Sequence, residues 1–412
     1  MRQLKRGWID EYLSWIEETS ESPHNYHQWS AATVIAGALK RNVWVNKGDY
    51  NLFPNMYTVL VGHTGLGKGR SINPAVGLLR EAGSANMLSD KLTIQYILEK
   101  ISDRGNAAAQ LTFQGSPSGT VTFALDATCF ISAPELEDLL TASDAMPSLK
   151  ELWESKDGTF EYGTRGKGLV KISKPCPTLL GGVTPSQVAM LFPTRAVGGG
   201  FVRRCNFVYE AERSRIIPWP EERNGNDSVK NALINDLRHI SQLKGPFRFD
   251  PIARKMYEDY YRNTNCDEFA DEATSSYETS RPYHVLKLAM ALTASRFDNM
   301  VINFVDLAQA IKMVDKVTQE LKKVFRAVGD SELAVVMDKV LRYIEMKSKL
   351  TFVTRQDLMG ALWRDVGSSQ NLDIILATLE AGKVIRTDNQ SGMTVYRIVK
   401  LAPRASVSST IQ

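Results

Sequence analysis

The sequence predicts an α/β fold: a parallel sheet set between a helical N-terminal region and a mostly helical C-terminal half. Three observations carry that expectation. From Asn55 to about Glu212, short β-rich runs alternate with helical patterns, the order that yields parallel strands joined by helical crossovers. One of those runs, Tyr57–Val61, leads directly into the glycine-rich stretch Gly62–Gly69. Beyond Gly329 the order is three helical patterns and then two β-like arms, the layout of a winged helix.

Each element follows from local pattern. Trp8, Tyr12, Trp15 and Ile16 recur at helical spacing, and a second apolar segment runs from Trp29 to Leu39, so residues 1–48 read as a helical N-terminal region. Residues 49–215 read as the α/β core. Thr93 is placed as the cap of a helix carrying Ile94, Ile97, Leu98 and Ile101. Val121–Leu125, Thr128–Ala133, Thr178–Val183 and Arg204–Tyr209 are the further strand candidates. Residues 216–328 open Pro- and charge-rich and then turn helical, with the strongest signals at Tyr283–Phe297 and Val305–Phe325. Residues 329–402 hold the winged-helix pattern: helices Glu332–Met346, Thr354–Trp363 and Ser369–Ala381, then a hairpin turning at Asp388–Gly392. Residues 403–412 read as a frayed tail.

Composition excludes several classes. A chain of 412 residues with 43% apolar and 23% charged residues has the balance of a folded protein, not of a disordered or disulfide-scaffold one. The apolar stretch Ala31–Leu39 falls well short of the roughly 20 residues that cross a bilayer. No membrane partner is therefore expected, and a cytoplasmic location is. Cys129, Cys176, Cys205 and Cys266 are scattered without a C-x-x-C pair, which fits a reducing compartment. His24 and His27 could share a helix face, but no second ligand pair accompanies them, so local hydrogen bonding is the expected role. A net charge of +4 identifies no partner as a total, so its distribution has to.

The sharpest motif is Gly62-His63-Thr64-Gly65-Leu66-Gly67-Lys68-Gly69-Arg70 after the strand Tyr57–Val61. Glycines let backbone N–H groups converge on an anion, and the following helix presents its N-terminus to it. Lys68 adds a cation for the β- and γ-phosphates, so ATP with Mg²⁺ is the expected ligand. The residue after such a lysine is normally Ser or Thr, whose hydroxyl reaches Mg²⁺, and here it is Gly69. Ser71, Glu135 or a water is the candidate replacement. Pro74 falls within the expected helix and removes one backbone bond.

The rest of the site is read from strand ends. Glu135, with Glu137 second, follows the strand Thr128–Ala133 and is the candidate for holding Mg²⁺ and orienting water. The competing reading is that Ser132-x-x-Glu135 is a capping box that only starts a helix. Thr184 ends another strand as a candidate phosphate sensor, while Thr184-x-x-Gln187 also reads as a capping box. Arg203 and Arg204 precede a strand, and Arg204 is the candidate arginine offered to a neighbouring subunit's nucleotide. Phe160–Ile172 reads as a hairpin with a basic tip. From Glu161 to Lys174 a single acid faces Arg165, Lys167, Lys171 and Lys174, and the first three of these bases are the candidate DNA-phosphate contacts.

Trp29–Ala32, Leu39–Arg41, Phe53–Tyr57, Val61–Lys68, Leu180–Pro185, Gly200–Arg204 and the run from Arg281 through His284–Ala289 resemble the phage- and plasmid-encoded replication ATPases of the primase–helicase type. The resemblance spans roughly residues 25–300. It implies a P-loop NTPase core of the AAA+/RecA-like kind, a helical lid, assembly into a ring such as a hexamer, and ATP use linked to single-stranded or forked DNA. By position it makes Glu135 the acidic strand-end residue, Thr184 the sensor, Arg204 the inter-subunit arginine and Arg281 a lid arginine. No primase-type acidic cluster precedes the loop, so a primase or polymerase would be a separate partner. The leading expectation is a replicative helicase. An ATP-switched initiator or helicase loader with weak hydrolysis, a defence-type NTPase, and a small-molecule kinase are the rivals.

Overall fold

The computed structural model describes residues 4–88, 93–108, 127–155, 157–164, 168–192, 200–220, 227–264, 272–329, 332–347, 353–381, 384–390 and 393–398. Helical spacing of aromatics builds α1 (Trp8–Glu17), which buries Trp8, Tyr12, Trp15 and Ile16 and stacks Trp8 on Tyr12 with ring centroids 5.1 Å apart. Helix α2 (His24–Leu39) is buried at every residue from Trp29 to Leu39 and runs through the core. The chain then forms β1 (Val43–Asn46), β2 (Asn51–Leu52), β3 (Tyr57–Val61), α3 (Lys68–Ala82), α4 (Ile94–Ala108) and β4 (Ala127–Ala133). Thr93 caps α4 as expected, its Oγ1 accepting from the Tyr96 N–H at 3.3 Å.

After β4 come α5 (Leu136–Leu140), α6 (Ala145–Trp153), β5 (Thr159–Thr164), β6 (Gly168–Ser173), β7 (Pro175–Val183), α7 (Pro185–Leu191) and β8 (Cys205–Tyr209). Strands β4, β7, β3 and β8 lie in that order and are all parallel. Met87 adds a parallel bridge beside Phe130 at the β4 edge. β3, β4 and β7 are buried at every position, the pattern of parallel strands covered on both faces. β5 and β6 form the expected antiparallel hairpin, with Glu161 opposite Lys171.

The C-terminal half of the same unit contains α8 (Asp227–Ile240), β9 (Gly245–Phe249), α9 (Pro251–Arg262), α10 (Glu272–Arg296), β10 (Val301–Ile302) and α11 (Phe304–Gly329). Two expectations are corrected here. Residues 1–48 are not purely helical, because β1 joins a second sheet ordered β10-β9-β1-β2. Residues 216–328 do not stand apart from the core, because β9 pairs with β1 and one apolar cluster runs from Trp8 to Phe325. The short strand β9 pairs with β1 on one side and β10 on the other, partners far away in sequence that no local pattern announces. The compact unit is Met1–Val328 as a whole.

The second unit begins at Gly329, where the sequence places a boundary. It contains α12 (Glu332–Lys347), α13 (Arg355–Val366), α14 (Ser369–Ala381), β11 (Ile385–Gln390) and β12 (Met393–Ile398). Its own core gathers Val340, Ile344, Leu358, Leu372, Ile375 and Leu376 under the hairpin residues Ile385 and Tyr396. Thr354 caps α13 through a box with Asp357. The first hairpin arm runs three residues further toward the turn than expected, to Gln390, and the second begins one residue earlier, at Met393. Among the described residues no helix is long and apolar enough to cross a membrane.

Candidate functional site

The carboxyl ends of β3, β4 and β7 open onto one cleft of ≈ 1360 Å³, the end of a parallel sheet where ligands characteristically bind. The Gly62–Gly67 loop forms its floor. Gly67 caps α3 in the left-handed region, φ 82° and ψ 25°, which aims the first turn of α3 at the cleft. A Cβ there would also meet Ser22 Oγ at 2.1 Å. That hydroxyl donates to the Gly67 carbonyl at 3.0 Å, and Tyr26 OH donates to the Val61 carbonyl at 2.6 Å, so α2 and the segment before it brace the loop. Lys68 Nζ folds back over the loop and donates to the Gly62 carbonyl at 2.5 Å and the His63 carbonyl at 3.2 Å. Partial burial lowers the Lys68 pKa from its ordinary value. These are bonds an incoming anion can replace. Pro74 is accommodated inside α3 without ending it.

Glu135 stands exposed across the cleft from Lys68. The capping-box alternative for it does not form: Ser132 is buried inside β4, and Glu135 itself is the residue before α5, with no side-chain cap bond. The carboxylate is therefore not committed to starting a helix. Gly182 on β7 explains the close approach of the two sides, since a Cβ there would meet the Pro134 carbonyl at 2.8 Å and the Lys68 stem at 3.5 Å. Thr184 lines the cleft and also caps α7. Its Oγ1 accepts from the Gln187 N–H at 3.3 Å, and its own N–H donates to Gln187 Oε1 at 2.7 Å, so the expected capping box forms. Gln187 in turn donates to Glu137, which ties up the second carboxylate candidate.

No family model and no curated protein matches the chain.

The structure brings Gly65, Leu66, Gly67, Lys68, Gly69, Arg70, Thr64, Glu135 and Thr184 around one cavity, while other candidates lie elsewhere. Ser71 is fully buried on the core side of α3, with a hydroxyl that finds no partner, so it is not placed to replace the missing hydroxyl at position 69. One exposed carboxylate, phosphate oxygens and water make a donor set that suits Mg²⁺, which keeps several waters in such sites. Glu135 fits that group; Ser71 does not.

Arg204 corrects a second expectation. It precedes β8 at the level of Tyr57, the edge of the sheet opposite the loop. Its guanidinium is only 7% exposed, pairs with Glu154 through Nε at 2.9 Å, and sits 5.8 Å from the Trp153 ring centroid. A group so enclosed is not presented to a neighbouring subunit. Arg281 is likewise absent from the cleft, packed over Tyr260 at 5.3 Å and 3.7 Å from Asp315. Several of the motifs that carry the resemblance meet instead in a buried polar cluster. Lys287 donates to the Phe53 carbonyl at 2.9 Å and Asn55 Oδ1 at 2.7 Å, and lies 4.4 Å from the Trp153 ring centroid. Burial lowers its pKa to about 7. His284, buried and bonded to the Arg203 carbonyl at 2.8 Å, is lowered to about 4 for the same reason.

Of the DNA candidates, Arg165 and Lys167 lie outside the described residues. Lys171 is exposed on β6 and pairs across the hairpin with Glu161 at 2.9 Å, a pair that solvent screens. His24 and His27 make local bonds, to Glu17 at 2.6 Å and Ser20 at 2.8 Å. Sequence reasoning missed the wall contributed by Glu21, Ser22 and Arg213. Only the fold brings these together, since Arg213 follows β8 and reaches back to pair with Glu21 at 2.8 Å.

Proposed function

We propose that the chain is a P-loop ATPase of AAA+/RecA-like type that couples ATP turnover to DNA, most specifically as a ring-forming translocase in the replication of a phage or mobile element. The observation that carries this reading is the pairing of Lys68, anchored over a glycine loop, with an uncommitted Glu135 across one cleft at the carboxyl end of a parallel sheet. The loop N–H groups and the α3 N-terminus bind the phosphates, and Lys68 exchanges its carbonyl partners for phosphate oxygens. Glu135 would hold Mg²⁺, which would supply positive charge against the phosphates, and Glu135 also accepts a hydrogen bond from the attacking water. Thr184 holds the α7 end of the cleft in place. The β5–β6 hairpin is the proposed DNA contact, and the C-terminal unit is read as a winged helix.

A second reading, an initiator or loader that uses ATP as an assembly switch, is favoured by two specific observations. No hydroxyl follows Lys68, and Arg204 is enclosed within its own chain. Hydrolysis measured with and without single-stranded DNA, beside unwinding of a forked duplex, separates the readings. DNA-stimulated hydrolysis with unwinding supports the translocase; stimulation without unwinding supports the loader.

A further inference from the structure

The strap that follows β8 crosses the mouth of the cleft and is fastened by backbone bonds. Glu21 accepts from the Ser214 N–H through its carbonyl at 3.2 Å and from the Ile217 N–H through Oε1 at 2.8 Å. The Arg213 side chain, 46% exposed, is fastened differently: its guanidinium leans on Glu21 Oε2 at 2.8 Å. Its Nη2 also lies 3.9 Å from where a Cβ of Gly65 would stand, directly over the tip of the loop. Both members of the pair line the cleft. The guanidinium can therefore exchange partners while the strap stays in place.

We propose that Arg213 is a second phosphate-binding cation of this site, parked on Glu21 and transferred to the terminal phosphate of a bound nucleoside triphosphate. The inference rests on the nucleotide reading of the cleft. A triphosphate carries several negative charges where Glu21 carries one, and a planar fork of donors matches phosphate oxygens in pairs. Glu21 acts as a competitor in the same cleft. Its charge opposes the incoming phosphates and retains the arginine until they arrive. A diphosphate, lacking the terminal group, leaves Arg213 on Glu21, so the pair makes the site selective for the triphosphate.

The test is binding of fluorescent ATP and ADP analogues to the full chain, as parent, Arg213→Ala, Arg213→Lys, Glu21→Gln and Lys68→Ala. Arg213→Ala is expected to weaken ATP by about ten- to a hundredfold, the effect of losing a charge-assisted bond, and ADP by less than about threefold. Arg213→Lys should recover only part of the ATP affinity. Glu21→Gln keeps an acceptor for the Ile217 N–H while removing the charge, and is expected to tighten ATP several-fold without a shift in melting temperature. If the pair merely staples the strap, Arg213→Ala weakens ATP and ADP alike and Glu21→Gln weakens both; either result overturns the proposal while binding by the parent persists. A parent that binds neither nucleotide, or a Lys68→Ala chain that binds as the parent does, overturns the nucleotide reading and this inference with it.

Discussion

Replacing Gly67 by alanine perturbs the loop in two ways that can be separated. The first is backbone strain, because an L-residue held at φ 82° and ψ 25° sits in the left-handed region at a cost of about 1–2 kcal/mol. The second is collision, because the new Cβ would lie 2.1 Å from Ser22 Oγ. Relieving it means giving up the 3.0 Å bond from Ser22 Oγ to the Gly67 carbonyl, worth about 0.5–1.5 kcal/mol. Together they disfavour the loop conformation by about 2–3 kcal/mol, or roughly thirty- to a hundredfold in ATP affinity if that conformation is the binding one. Fluorescent-nucleotide titration and urea unfolding measure the two consequences. Adding Ser22→Ala removes the hydroxyl together with its bond to the Gly67 carbonyl and leaves a 3.1 Å contact to the Ser22 Cβ, so the double variant should regain less than about 0.5 kcal/mol. A Gly67→Ala chain that binds and unfolds like the parent would refute the reasoning, as would a double variant restored to the parent's affinity.

Three further outcomes follow from the same geometry. Gly69→Ser meets nothing nearer than Asn73 Nδ2 at 3.9 Å from its Cβ, so urea unfolding should change by less than about 0.5 kcal/mol while the Mg²⁺ concentration needed for ATP binding falls; a loss above about 1 kcal/mol would contradict the open space described. Arg204→Ala leaves Glu154 without its cation and is expected to cost about 3 kcal/mol of stability by urea unfolding, with ATP affinity of the folded fraction retained; unchanged stability would restore Arg204 as an exposed functional group. Stability should rise with pH in two windows, from about 4 to 6.5 through His284 and upward from about 7 through Lys287, because in each the unfolded chain binds the proton that the folded one releases. Lys287→Met should flatten the upper window, and an unaltered slope there would assign it to other groups.

Much of the site was legible because its causes are local. An apolar β-run, glycines that only close backbone approach requires, and a lysine at the head of a helix mark β3, the loop and α3 without any knowledge of the rest. The β5–β6 hairpin and the three helices and hairpin after Gly329 were legible for the same reason. The competing capping-box reading of Ser132 fails because a Ser-x-x-Glu spacing says nothing about whether the chain is still extended, and β4 carries Ser132 into the sheet. Arg204 misled because its partner Glu154 lies 50 residues away and becomes a neighbour only when α6 packs under the sheet. Glu21 and Arg213 escaped notice because the strap brings together residues 192 positions apart. Strands β1, β9 and β10 are short, and their pairing is a tertiary event.

The central claim is that Lys68 and the loop beneath it bind the phosphates of ATP, and equilibrium binding of a fluorescent ATP analogue to parent and Lys68→Ala tests it most directly. A unit charge about 4 Å from phosphate at an effective dielectric near 20 is worth about 4 kcal/mol, so the variant is expected to lose on the order of a thousandfold in affinity. Its urea midpoint should stay close to the parent's, since among the described residues Lys68 bonds to two loop carbonyls. Equal affinity in the two chains, with both folded, would contradict the account.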